Sequence, residues 1–599
     1  MKKYITFTIV TFFILTIPTY AQIAGAESAA CNAQFAQLLV EQQVMESKSV
    51  VEPVKRIKIL LRSADFLWKF DQPTARAYLA EAWKMAEDRF KETGFEKKVP
   101  AERGQGMVTI LPDQRMEVVR AIAKLDAEWA KKLIEQMLAD YDKSRDNRKD
   151  FDKTREVDDL LYLAQQNVKS NPELSRYLYR RLMKYPLVSN WYFTFFALYE
   201  SDTKFADTLY SDALSNYRNE TPRRLLFLSA YPFAMERMFG VDKFQIGTKF
   251  PPNLVPNPSL QRQFLDVFFT RIANYASSEQ DMNSVKESFY LSEPAYMVSA
   301  LREIEPFIIE RFPDLLQRLS IAKSQAASLL SEEMRKDLES KEKNTADLRG
   351  SFEERLAAIE KADGEGKLTD YMIVQLVTWR DKNDEQFELV IPWLGKIKDE
   401  NVRKETINYF WFLRSKLAIK EKRLDDAEKY ALKVPEIEHR AILMFDIAGV
   451  QSKNAVDVAS FFDTLNRLSK LVRSNDNSVS KAQILLGLTN MYEKVNHSVA
   501  LEELGEAIRV TNNLKDADIF TTTVQRQIFG TGFGFYATFN TPGYNLEETF
   551  VELSKKDFEM SLANSKALDD KYYRTLAVIA VAGNCAKNSK PTAKPVRSQ

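Results

Sequence analysis

Cysteine is almost absent. The 599-residue chain holds two, Cys31 and Cys585, near its opposite ends. A pair this sparse is no disulfide framework. Two readings stay open: one bridge joining the ends in an oxidising compartment, or two free or buried thiols. Histidine is equally scarce, with His439 and His497 alone. Two histidines and two cysteines offer no HExxH motif, no zinc cluster and no Cys-His-Asn constellation. No metal and no cofactor are therefore expected, and each histidine reads as an ordinary surface or helix-capping residue. Glycine is low too, at 18; many tight β-turns would need more, so the shortage favours helices. Net charge is nearly nil, since 85 Lys and Arg stand against 84 Asp and Glu. That leaves no electrostatic footprint for nucleic acid or anionic lipid.

The one long apolar stretch opens the chain, "MKKYITFTIVTFFILTIPTYAQ". Lys2 and Lys3 form a basic leader, and 5–17 is an apolar segment of signal-peptide length, about a dozen residues. Small residues at Thr19 and Ala21 place cleavage after Ala21, with Ala24-Gly25-Ala26 as a second site. The expectation is a signal peptide over 1–21 and a mature chain in the periplasm or outside the cell. The alternatives are an uncleaved anchor and a lipoprotein built on Cys31. Ser28 and the early end of the apolar run count against the second. No later run reaches the roughly 18–20 apolar residues of a membrane span.

What is present is helical periodicity. The chain is 45% hydrophobic and 28% charged, a balance that builds a core and does not read as disorder. Val118, Ile122, Leu125, Trp129, Leu133 and Met137 recur at three- and four-residue steps, the stripe of an amphipathic helix or helix pair. A phrase then repeats: Asp71, Ala75 and Tyr78; Asp126, Ala130 and Leu133; Asn171, Ser175 and Leu178; Asp202, Ala206 and Leu209. The first residue of each caps a helix. The small one lets a neighbouring helix approach, and the large one fills the space between. The unit is a helix hairpin, used again and again at irregular spacing. The fold class is all-α, an irregular α-solenoid in two halves.

In "FLRSKLAIKEKRLDDAEKYALKVPEIEHRAILMFDIAGVQSKN", Ala427 and Ala431 stand four apart and Pro435 stops the helix. Over about 400–515 this resembles tetratricopeptide repeats, without the aromatic and glycine signature of their first helix. The whole chain also resembles secreted bacterial helical-repeat proteins, a likeness that implies no activity. The organisation reads as a helical-repeat region over 32–345, a charged hinge over 346–365, a tetratricopeptide-like region over 366–585 and a disordered basic tail over 586–599. Two further irregular stretches are a long connection at 93–114 and a proline-rich one at 241–261.

One segment breaks the pattern, "IFGTGFGFYATFNTPGYN" at 528–545. Gly530, Gly532 and Gly534 have no Lys-Ser or Lys-Thr after them and no helix to receive a phosphate. Alternating glycine and aromatic residues predict an extended hairpin or close-packed loop with Pro542-Gly543 as a turn. Phe533, Phe535, Tyr536 and Tyr544 are the candidate partner-contact residues. The aromatic run at 185–200 reads as core. The acidic pairs Asp158-Asp159, Asp425-Asp426 and Asp569-Asp570 read as helix edges. No catalytic residue is expected. The functional expectation is an exported, non-enzymatic scaffold that binds a protein or peptide. The alternative is a carbohydrate-active enzyme or glycan-binding protein using acidic and aromatic residues in a helical cleft; a third reading is an assembly accessory for another envelope protein.

Overall fold

Each predicted cap is in place. Asp71, Asp126, Asn171 and Asp202 each accept a hydrogen bond from the amide three residues on, at 2.9–3.2 Å. This satisfies one of the amides that every helix start leaves open. The small partners Ala75, Ala130, Ser175 and Ala206 are all buried. The long apolar stripe is a helix pair: Gln114–Leu125 stops at Asp126, and Ala127–Ser144 starts from it.

The computed structural model describes residues 31–588 except 96, 99–108, 111, 145–149, 237, 241–249, 277–291, 348–350, 380–381, 454–457, 516–517, 521 and 532. The leader, the chain beyond 588, most of the 93–114 connection and Gly532 lie outside them. The described chain is an all-α solenoid of helical repeats. Two small antiparallel pairs interrupt it: Lys97–Lys98 with Thr109–Ile110, and a hairpin of Thr523–Gly530 with Phe533–Asn540.

A second side chain links successive hairpins. At four of the caps the side chain five residues on reaches the start of the next repeat, whereas Lys131, five after Asp126, bonds Glu128 in its own helix. Arg76 follows Asp71 and bonds Asp126 at 2.5 Å. Arg176 follows Asn171 and bonds Asp202 at 2.6 Å. Arg262 follows Asn257 and bonds Asp314. Between the last two steps the polarity is exchanged: Asp207, five after Asp202, accepts from the side-chain amide of Asn257 at 3.2 Å.

Two apolar cores form. One runs mainly from Ala36 to Leu338, the other from Phe352 to Val581 with Ile59 of the N-terminal half added. The segment expected as a hinge is largely helical, with Phe352–Gly364 capped by a Ser351/Glu354 capping box and anchored by Phe352 and Ile359 in the second core. The final helix, Lys571–Asn588, belongs to both cores: Leu576 and Val581 enter the second, Ile579 and Ala582 the first. It packs against the first helix, Ala33–Glu46, and the array closes on itself there. Cys31 and Cys585 are disulfide-bonded across this junction, with Cα atoms 5.2 Å apart. Arg62 pairs with Glu547 at 2.7 Å, and Lys58 lies 3.6 Å from the centre of the Phe520 ring.

Candidate functional site: a hairpin docked on the repeat array

The hairpin lies across three alternate helices of the C-terminal half, Asp370–Thr378, Glu400–Lys420 and Ile437–Gln451. Tyr371, on Asp370–Thr378, meets Phe533 with ring centres 5.2 Å apart. On Glu400–Lys420, Tyr409 meets Phe535 at 5.1 Å and Phe412 meets Phe539 at 4.6 Å. His439, on Ile437–Gln451, stands edge-on to both Phe412 and Phe539. The period of two makes this geometry follow from sequence. Val524, Arg526 and Ile528 on the first strand, and Phe533, Phe535, Ala537 and Phe539 on the second, face the helices. Gln525, Gln527, Tyr536, Thr538 and Asn540 face solvent.

Gly530 and Gly534 do steric work here. Gly530 pairs with Phe533, whose ring lies over the place a Cβ would take. On the outward face a Cβ at Gly534 would sit 3.2 Å from the rings of both Phe529 and Tyr536. Each glycine thus lets a cross-strand aromatic lie flat on the sheet. The strands reverse between Gly530 and Phe533. The expected turn at Pro542-Gly543 is instead a single 3-10 turn, Pro542–Tyr544, that follows the second strand and leads into helix Leu546–Ser554. The hairpin's register is set by the short reversal, and the proline has no part in it.

At the centre of the docked face sits one cation. Arg526 is buried, and its guanidinium donates to Glu405 and to Glu436, each at 2.9 Å. Asn408 donates to the other oxygen of Glu436 at 2.8 Å, fixing its orientation. Burial pushes the Glu436 carboxyl pKa up. The hydrogen bond and charge of Arg526 outweigh that and hold it below the usual carboxylate range. His439 is buried as well, which corrects its reading as a surface or capping residue. Burial and the neighbouring Arg526 lower its pKa to about 4, against the pull of Glu436 and the Gln525 carbonyl. His439 is neutral under the hairpin at pH 7.

The four candidate contact residues separate. Phe533 and Phe535 sit together on the helix-facing side. Tyr536 projects outward, 41% exposed. Tyr544 is buried beneath the 3-10 turn, against Phe445 and Gly487. Sequence reasoning does not single out Arg526, Glu405 or Glu436, and it names His439 only as a surface or capping residue. The signal for Arg526 is the alternation in "TTTVQRQIF", which puts an arginine on the apolar face between Val524 and Ile528 and so demands a buried acceptor.

Elsewhere, Asp425 and Asp426 occupy a first helical turn, and Asp570 accepts from the Tyr572 amide at 2.7 Å. Asp158 and Asp159 are not at an edge. They lie in the middle of Asp150–Gln166, where Asp159 pairs with Arg155. Burial first, and then Asp159, raise the Asp158 pKa to about 7. In the aromatic run, Trp191 and Phe195 are fully buried. Of the proline-rich stretch, 241–249 lie outside the described residues; Leu254–Pro258 line, with Tyr199 and Tyr231, a cavity of about 270 Å³, where Asp207 is already engaged by Tyr231 and Asn257. No described helix is long and apolar enough to cross a membrane.

No protein-family model matches the chain, and no curated protein matches it. A solved structure described as a "circular tandem repeat protein with novel repeat topology and enhanced subunit contact surfaces" aligns with 92% of this chain and 98% of its own, at 11% identity and a TM-score of 0.17. A likeness that low carries no argument here.

Proposed function

We propose that this chain is an exported, non-enzymatic protein-interaction scaffold of the cell envelope or secreted space, built on tetratricopeptide-like repeats. The carrying observation is the docked hairpin. One face of the array already holds an extended polypeptide, by ring-on-ring contacts and by the buried ion pairs of Arg526. Stacked helix hairpins commonly present such extended binding faces. Export is supported by the basic and apolar N-terminal sequence and by the Cys31–Cys585 pairing, which suits an oxidising compartment. With its sulfur in that bond, Cys31 has no thiol to carry a lipid.

The test is a crosslinked pull-down of the mature chain from its native envelope fraction, read by mass spectrometry. One or a few envelope proteins in reproducible amounts are expected. Background alone would sink the reading.

The outward face of the hairpin favours one alternative, a glycan-binding role. Tyr536 stands there among Gln525, Gln527 and Thr538, a neutral aromatic and amide surface. Retention on cell-wall or plant polysaccharide, lost in Tyr536→Ala, would support it. Equal retention of the variant would reject it.

A further inference from the structure

The hairpin is held the way a bound peptide is held. Of its eight and eight strand residues, only Arg526 and Ile528 are buried. The other helix-facing side chains are half-buried: Val524, Ala537, and the rings of Phe533, Phe535 and Phe539 laid on rings of the helices. Among the described residues no backbone-to-backbone hydrogen bond joins either strand to a helix, though the Gln525 carbonyl faces the His439 ring. The two strands satisfy each other through an eight-pair ladder. Their root is closed by the Thr541 amide donating to the Thr522 carbonyl at 2.7 Å. The module can therefore leave the helices without breaking any backbone-to-backbone bond, losing only side-chain contacts such as that of His439 with the Gln525 carbonyl.

The polar centre points the same way. A permanent plug would be held as well by apolar side chains, because a buried ion pair contributes little over a well-packed hydrophobe. What a pair of carboxylates at one spot does supply is selection. Glu405 and Glu436 stand on separate helices and converge on one guanidinium, with Asn408 orienting the second. A strand lacking arginine there leaves two carboxylates facing an apolar partner, which is costly.

We propose that the face lined by Tyr371, Tyr409, Phe412, Glu405 and Glu436 is a binding site for a β-strand or β-hairpin of a partner protein. That partner carries an arginine two residues before an aliphatic one, and the chain's own hairpin occupies the site as a self-ligand that such a partner displaces. This rests on the scaffold reading and names the chemistry of its partner. The closed root allows a clean experiment: residues 523–540 are replaced by two glycines in the full chain, and a fluorescein-labelled synthetic peptide of 523–540 is added in trans.

The clipped chain should bind the peptide with micromolar affinity and the intact chain far more weakly. The Arg526→Ala peptide should bind the clipped chain about 30-fold or more weakly, as expected when one partner of a buried charge pair is removed. Glu405→Gln with Glu436→Gln in the clipped chain should cost as much. A clipped chain that keeps its helical circular dichroism and its disulfide yet binds no peptide overturns the proposal, as does equal binding of the Arg526→Ala peptide. If clipping prevents folding, hydrogen exchange on the intact chain decides. Amides of 524–539 should exchange about a hundredfold or more faster than those of Glu400–Lys420, by local opening; exchange at one common rate makes the hairpin permanent and ends the idea. The envelope pull-down is run with both chains. A reproducible partner without peptide binding rejects the strand site and leaves the scaffold. An empty pull-down from both rejects the scaffold, whatever the peptide does.

Discussion

Arg176 donates to one carboxylate oxygen of Asp202 while the other oxygen accepts from the Phe205 amide. One carboxylate thus starts its own helix and ties that helix to the previous repeat. The two roles separate by substitution. Asp202→Asn keeps a capping oxygen and loses the charge, so it should cost only a few tenths of a kcal/mol, since Arg176 and Asp202 are both well exposed. Asp202→Ala loses the cap as well and should cost about 1–2 kcal/mol. Urea unfolding of the two variants tests this; equal losses would mean the tie, and not the cap, carries the stability.

The cap is legible in sequence because its partner is three residues away. The tie is not, because Asp202 lies 26 residues beyond Arg176 and Asp126 lies 50 beyond Arg76. The same distance hid the site. "GFGF" announces a non-helical insert, and the alternation of Val524, Arg526 and Ile528 announces a one-sided strand. Glu405 lies 121 residues before Arg526, and nothing in its own amphipathic helix marks it. His439 looks like any helical residue until the hairpin covers it. Helices, caps and repeat type are local and could be read; what the repeats hold against one face depends on the fold.

His439 gives the docked hairpin an acid limit. Its folded pKa, about 4, lies below the ordinary histidine value of 6.5. Between these values the unfolded chain binds the proton and the folded chain does not. The stability it contributes is complete above pH 6.5 and is lost as pH falls toward 4, by about 3 kcal/mol. His439→Gln should flatten the dependence of stability on pH across that window. An unchanged slope would place the titration elsewhere.

Asp158 acts with the opposite sign in nearly the same window. Its folded pKa is raised to about 7 from 3.8, and one of its buried oxygens has no partner. Its stabilising protonated form is complete below pH 4 and is lost as pH rises to 7. Asp158→Asn should therefore stabilise the chain at pH 8, by about 1–3 kcal/mol, and steepen the loss on acidification that His439 causes. Destabilisation at pH 8 would show instead that the carboxylate is paired.

The disulfide constrains a loop with a sequence separation of 554 residues. Chain entropy alone puts its effect near 6 kcal/mol. That term acts on the unfolded chain. In the folded chain, Arg62–Glu547, Lys58 over Phe520 and Lys571–Ser49 join the ends without it. Cys31→Ser with Cys585→Ser should lower the denaturation midpoint while Ala33–Glu46 stays docked and resists limited proteolysis under native conditions. Early cleavage in that helix would mean the covalent bond, and not the packing, closes the array.

Gly487 tests the root of the hairpin from the helix side. It lies in Val479–Tyr492, where alanine would ordinarily stabilise by about 1 kcal/mol. A Cβ there would meet the ring of Phe445 at 2.8 Å and that of Tyr544 at 2.9 Å. The rings cannot both withdraw, because each is the other's neighbour, and Asn490 holds the Gly543 carbonyl at 2.8 Å. Overpacking of this kind costs about 1–3 kcal/mol, so the clash outweighs the propensity and Gly487→Ala should be net destabilising. It should also raise hydrogen exchange in 523–540 more than in the N-terminal core, since the displaced Tyr544 stands at the hairpin's base. A stabilised variant with unchanged exchange would show that the 3-10 turn yields freely and that the hairpin's seat does not depend on this contact.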